Sequence, residues 1–129
     1  MTLAEIKHQV MFQSNNDLDD LSEYEPHLAD YINDGYDQLI FAYDKKHIGS
    51  DEYPALSVET DVPNAPEWTH RYLADWATWL VYRNGNPQKQ NRGYPYRESF
   101  LWMLSRVMDE GGKAGEGLFP YKNFRNIPT

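Results

Sequence analysis

A chain of 129 residues, 40% hydrophobic and 25% charged, carries enough apolar material for one folded domain and too much for a disordered segment. No apolar run approaches the roughly 20 residues of a membrane helix, and the opening MTLAEIKHQV lacks the basic-then-apolar order of a secretory signal. The net charge of −8 disfavours binding to nucleic-acid phosphates, and the lack of cysteine excludes disulfides, thiolate nucleophiles and cysteine–metal sites, as suits intracellular synthesis.

Thr2-Leu3-Ala4-Glu5 has the form of a capping box, and Leu3, Ile6 and Val10 recur at helical spacing. A first helix from Leu3 to Phe12 is predicted. SNNDLDDLSEYE then brings turn formers and the acids Asp17, Asp19, Asp20, Glu23 and Glu25. A calcium loop would need glycine at its sixth place and glutamate at its twelfth. Counted from Asn15, those places hold Asp20 and Pro26, so the stretch reads as a solvated acidic loop.

Pro26 fits the first turn of a second helix, whose apolar face is Leu28, Tyr31, Ile32, Leu39 and Tyr43. Gly35 costs that helix about 1 kcal/mol relative to alanine, which points to close approach of another backbone. Lys45, Lys46 and His47 suit its C-terminal dipole. Residues 48–65 have no helical period; Leu56 and Val58 alternate with polar residues, allowing a short β arm. Asn64 is the predicted cap of a third helix with Pro66 and Glu67 in its first turn, ending at Gly85. Asn86-Pro87 opens a further helical turn, and Gly93-Tyr94-Pro95 should interrupt or kink it. From Tyr96, the residues Phe100, Leu101, Leu104, Val107 and Met108 predict a last amphipathic helix ending near Asp109. The remainder is glycine-rich and then aromatic, a flexible tail over 110–129 in which Phe119, Tyr121 and Phe124 could dock on a partner. The expected fold is all-α, a bundle of about four helices over 1–109.

The third helix, WTHRYLADWATWLVYR, holds three of the four tryptophans. On a helical wheel Trp68, Tyr72, Leu73, Trp76, Trp79 and Leu80 share an arc of about 140°. Ala74, Ala77, Thr78 and Val81 occupy the other side, leaving Arg71 and Asp75 as a solvent stripe. A ligand-stacking platform built on Trp76 or Trp79 would leave rings exposed beside polar partners. Rings sharing a face with leucines predict a core of Trp68, Tyr72, Trp76, Trp79 and Leu80 with Phe100 and Leu104.

Motifs for catalysis are missing. His8, His27, His47 and His70 lack metal-protease spacing, no serine sits in a G-x-S-x-G elbow, and no glycine loop suits phosphate. With 20 acidic residues, no carboxylate pair is singled out. No enzyme, cofactor or metal is therefore expected. Arg83, Lys89, Arg92 and Arg97 do stand out, as four cations within fifteen residues of an acidic chain. They suit either helix-end compensation or a contact with an acidic neighbour.

The order of these pieces carries a resemblance. A short capped helix and acidic turn precede DYINDGYDQLIFAY, then a proline-containing loop, then PEWTHRYLADWATWLVYRNGNPQKQNRGYPYRESFLWML. Over residues 2–108 this resembles the small helical head–tail connector (adaptor) proteins of tailed bacteriophages and prophages. The features shared are a proline before a helix with Ala-Asp-x-Ala and terminal Tyr-Arg, then an Asn-Pro-led helix ending in Phe-x-x-x-Leu. Gly93-Tyr94-Pro95 departs from the continuous last helix of that family, and the aromatic tail has no counterpart in the resemblance.

The resemblance implies a non-catalytic virion protein, made in the host cytoplasm and placed in the neck. About a dozen copies would form a homo-oligomeric ring below the portal protein. The ring would extend the channel for genomic DNA and dock a tail or second neck protein, with no cofactor and no membrane. An acidic lumen would let DNA slide without sticking. Contacts between copies or partners are expected at Asp17, Asp19 and Asp20, at Arg83, Lys89, Arg92 and Arg97, in the 48–65 arm, and at Phe119, Tyr121 and Phe124. A rival reading, an acidic DNA mimic or protein-binding inhibitor, would need carboxylates arrayed on one face; the sequence shows acids scattered over loops and helix starts.

Overall fold

The computed structural model describes residues 1–14 and 25–114. Four helices form the body: α1 (Leu3–Gln13), α2 (Leu28–Tyr43), α3 (Glu67–Arg83) and α4 (Pro87–Asp109). Short 3₁₀ turns at Glu25–His27 and Lys45–His47 lead into and out of α2, so Pro26 lies just ahead of the helix proper. α3 packs against each of the other helices, most extensively against α4. The all-α bundle is as the sequence predicts.

The capping box at Thr2 forms as read: the Glu5 amide donates to Thr2 Oγ1 (3.2 Å) and the Thr2 amide to Glu5 Oε1 (2.9 Å). Two further free amides of this helix start, Leu3 and Ala4, donate to the carbonyls of Asp61 (2.8 Å) and Glu59 (3.1 Å). Those carbonyls belong to the 48–65 segment, which forms no strand. Asn33 holds the same segment from α2, donating to the Leu56 carbonyl and accepting from its amide (2.9 and 2.8 Å). Asp61 folds back to accept the Ser57 and Val58 amides (2.7 and 2.9 Å). Its backbone groups are met by a helix end and two side chains rather than by a ladder, with Tyr53 and Leu56 buried. The expected arm thus lies along the body.

Asn64 does not cap α3. Its amide donates to the Tyr36 hydroxyl (2.8 Å) and its side chain to the Glu52 carbonyl (2.9 Å), while Pro66 takes the N-cap position. Asn86 does cap α4, accepting from the Lys89 amide (3.0 Å) with Pro87 at the first helical position.

The predicted interruption at Gly93-Tyr94-Pro95 is not there: α4 runs unbroken through all three. The reason lies on α3. A Cβ on Gly93 would stand 2.8 Å from Trp79 Cε3 and 2.8 Å from Tyr82 Cβ, so its absence lets the two helices close together. Tyr94 then stacks on Trp79 (5.2 Å between ring centres) and Tyr96 on Tyr82 (6.3 Å), while Pro95 faces solvent. These contacts hold the helix across a residue that cannot donate. Gly35 also serves packing, but against a side chain: its missing Cβ makes room for the Trp76 indole, 3.1 Å from the Cβ position.

Within α3 the small face is the deepest. Ala74, Ala77, Thr78 and Val81 are buried, as are Trp79 and Leu80. Trp68, Tyr72 and Trp76 are half-buried and roof the core, as does Leu104, while Phe100 is fully enclosed and 4.8 Å from the Trp76 ring. Asp75 departs from the reading as a solvent residue: it is only 7% exposed.

Candidate assembly surfaces

The burial of Asp75 is explained by its partners. Gln13 Nε2 donates to Oδ1 and Ser99 Oγ to Oδ2, both at 2.9 Å, joining α1, α3 and α4. Thr78 Oγ1 donates to Gln13 Oε1 (2.6 Å), and the Tyr82 hydroxyl donates to the Gln13 carbonyl (3.2 Å). Burial pushes the Asp75 carboxyl above its usual range, and the Ser99 and Gln13 hydrogen bonds, with the Arg71 charge, oppose this. Both carboxylate oxygens are engaged, which makes this a structural hub.

A second cluster joins the end of α2 to the loop that follows. Asp44, His47 and Glu52 bring possible metal-ligand atoms within 4.8 Å of one another. His47 Nδ1 lies 2.9 Å from both Asp44 oxygens, and the Tyr53 hydroxyl donates to Asp44 (2.7 Å), whose carboxyl is held below its usual range chiefly by that bond. Lys113 Nζ stands 3.7 Å from Asp44 and 3.6 Å from Glu52. These residues could hold a divalent cation only by displacing the Lys113 ammonium. Lys113 reaches the cluster because Gly111 and Gly112 turn with φ of 80° and 58°. Gly112 lies so close to the Tyr43 carbonyl that a Cβ would collide with it, and its positive φ disfavours any L side chain. The first residues of the expected tail are thus seated on the end of α2.

Of the basic residues found in the sequence, Arg83 and Lys89 lie at the α3–α4 hairpin end, and Arg92 and Arg97 follow about 8 and 15 Å along α4. Arg83 closes α3 and is exposed; Lys89, Arg92 and Arg97 follow in the first half of α4, with Arg97 paired to Glu98 (3.1 Å). Residues 83–97 include no acid, whereas the other 114 residues hold eight cations against twenty acids. The turn is braced: Gln90 Nε2 donates to the Arg83 and Gly85 carbonyls (3.1 and 3.3 Å), and Asn84 to the Leu80 carbonyl (2.8 Å). Asp17, Asp19, Asp20, Phe119, Tyr121 and Phe124 lie outside the described residues.

Two surface rows escaped the sequence reading. On α2, Asp30, Asp34, Asp37 and Phe41 follow at i, i+4, i+7 and i+11, all exposed and opposite the buried Leu28, Ile32 and Leu39. None of the three aspartates forms an ion pair with another described residue. The Asp37 carboxyl is raised by partial burial and then by the neighbouring Asp34 charge. Asp34 accepts from Trp76 Nε1 (2.7 Å) and Gln38 Nε2 (3.1 Å). This row is the one-faced acidic array that the scattered acids did not suggest, and its 4-3-4 spacing was the available signal.

The second row is cationic and aromatic. Arg71 lies over the Tyr72 ring (5.1 Å), Tyr72 meets Trp102 (5.9 Å), and Arg106 lies over Trp102 (5.7 Å). Trp102 is 52% exposed although it is a tryptophan. No single helix shows this row, because it crosses from α3 to α4. Neither a family model, a curated protein nor a solved structure matches the chain.

Proposed function

We propose that the protein is a non-catalytic, ring-forming connector of a phage or prophage neck. It sits below the portal protein, extends the channel for genomic DNA, and docks the tail or a second neck protein. The observation that carries the reading is charge segregation on a rigid bundle: a braced, acid-free hairpin end at 83–97 on an otherwise acidic body. A subunit in a closed ring offers unlike surfaces to its neighbours, and opposed charge sets their register. In this reading the hairpin end meets acidic residues of an adjacent protein, and the acidic remainder repels DNA in transit. The outer edge of the 48–65 segment, with exposed Val58 and Val62, and the chain beyond Lys113 supply further contacts.

Negative-stain imaging of the protein mixed with its cognate portal tests this. Added ring density on the portal is the expected result; no ring and no added density would remove the reading's main consequence. The aspartate row on α2 favours one other reading, an acidic inhibitor module that mimics DNA. Competition with DNA for a basic nuclease or repressor, lost on replacing Asp30 and Asp37, would select it.

A further inference from the structure

We infer that the aspartate row of α2 in one copy docks on the Arg71–Trp102–Arg106 row of a second copy, head to tail. The inference rests on the ring reading and names the lateral contact within it. Asp30, Asp34 and Asp37 span about 10 Å along their helix at 1.5 Å per residue. They end at Phe41, which is 54% exposed. Among the described residues no cation pairs with the three carboxylates, and the Lys45 ammonium lies over the Phe41 ring at 5.0 Å, so this is an anionic strip with an aromatic end. The opposite row offers two guanidiniums flanking an exposed indole, the residue types that most often anchor interfaces, with Arg106 also paired to Glu110 on its own helix (3.3 Å). Phe41 against Trp102 would exclude water, and the carboxylates would then meet Arg71 and Arg106 at reduced dielectric.

The two rows look out from different sides of the bundle, so one molecule cannot satisfy both. Ser99, Trp102 and Arg106 follow at i, i+3 and i+7, and Ser99 binds the Asp75 hub that also holds Gln13. The cationic row therefore runs along the α1 edge of α4. The aspartate row instead faces outward from α2, which packs on α3 through Gly35 and Trp76. A contact between unlike patches on different sides propagates from copy to copy, closing into a ring or running on as a filament.

Sedimentation of the full chain over a range of concentrations, at low and high salt, tests the contact. Wild type is expected to self-associate with concentration, less so at high salt. Asp37→Lys and Arg106→Glu, each checked for folding by circular dichroism, should each weaken association at least tenfold, roughly the effect of one like-charge juxtaposition. An equimolar mixture of the two should associate again, because each reversed patch then faces its complement. Trp102→Gln should weaken association with no change of charge. A wild type that stays monomeric throughout, or reversals that assemble as wild type does, overturns the contact. Portal imaging separates the two ideas. Reversed variants that still decorate the portal as wild type does remove this contact and leave the connector reading standing. Salt-sensitive self-association without any portal binding does the opposite.

Discussion

Gly93→Ala sets a local rule against a tertiary one. In a helix interior free of other constraints the change gains about 1 kcal/mol, because alanine is the better helix former. Here the new methyl would lie 2.8 Å from Trp79 Cε3 and from Tyr82 Cβ, whereas carbon atoms pack best at about 3.5–4.0 Å. Neither neighbour is a free end: Trp79 is stacked against Tyr94, and Tyr82 Cβ is one bond from the α3 backbone. α4 must therefore shift away from α3, and overpacking of this kind costs about 1–3 kcal/mol. The net expectation is a loss of about 1 kcal/mol, read as a lower urea midpoint by far-ultraviolet circular dichroism at unchanged slope. Gly35→Ala is the control. Its methyl would meet Trp76 Cδ1 at 3.1 Å and Cβ at 3.3 Å, a milder crowding than the 2.8 Å contacts at Gly93, so gain and cost should nearly cancel. A Gly93→Ala protein as stable as wild type, or more so, would refute the account of why α4 can lie so close to α3.

Pro95→Ala should stabilise the protein by about 1–3 kcal/mol, since it restores an amide donor on an exposed helical turn; part of the gain is lost to a looser unfolded chain. A thermal midpoint that stays put or falls would show that the proline ring makes a contact worth keeping. Burial chiefly holds His70 below the ordinary histidine range, with the Ala65 carbonyl and Glu67 opposing it. The unfolded chain then takes up a proton near pH 6.5 while the folded one does so only at lower pH, so stability should fall as pH drops below about 6.5. His70→Gln should flatten that slope between pH 6.5 and 5; an unchanged slope would place its origin in another group. Iodide should quench Trp102 readily and Trp79 hardly at all, so Trp102→Phe should lower the accessible fluorescence to what the half-buried Trp68 and Trp76 contribute. Equal quenching before and after that change would contradict the exposures of the two rings.

What the sequence made legible was what neighbouring residues decide among themselves. Thr2 with Glu5, and Asn86 with Pro87, mark helix starts because each cap is completed within four residues. The apolar rows of α1 and α2 are legible because burial follows the helical period, whereas on α4 the predicted Met108 is exposed and the fully buried Met103 lies outside the predicted row. The errors have the opposite origin. Asp75 pairs on paper with Arg71, but Gln13, 62 residues away, and Ser99, 24 away, supply the donors that allow its burial. Asn64 is a good cap by type, yet the Tyr36 hydroxyl and Glu52 carbonyl engage it first. Pro95 ends helices by rule, and the stacking of Tyr94 and Tyr96 on α3 overrides the rule. The candidate surfaces divide the same way. The 83–97 cations stand out in composition alone, the α2 row only once its outward face is known, and the Arg71–Trp102–Arg106 row only once α3 and α4 are side by side.

The tryptophan helix bears on function through what it leaves to others. Its rings pack on Phe100, Gly35 and Tyr94, and a ligand stacking on the buried Trp79 would first have to separate packed helices. In the proposed readings, recognition falls to the 83–97 hairpin end, the outward row of α2 and the Arg71–Trp102–Arg106 row across α3 and α4, which helices hold at fixed spacing. The connector and DNA-mimic readings both use the aspartates, so mutating those alone does not choose between them. Arg106 does. An anionic mimic has no use for a cation on the far side of the bundle, and reversing it would leave inhibition intact or strengthen it by adding negative charge. A ring needs both rows on every copy, and reversing Arg106 breaks each lateral contact at once. Loss of assembly in Arg106→Glu, together with its recovery in the mixture with Asp37→Lys, is therefore a result that a head-to-tail contact accounts for and a DNA mimic does not.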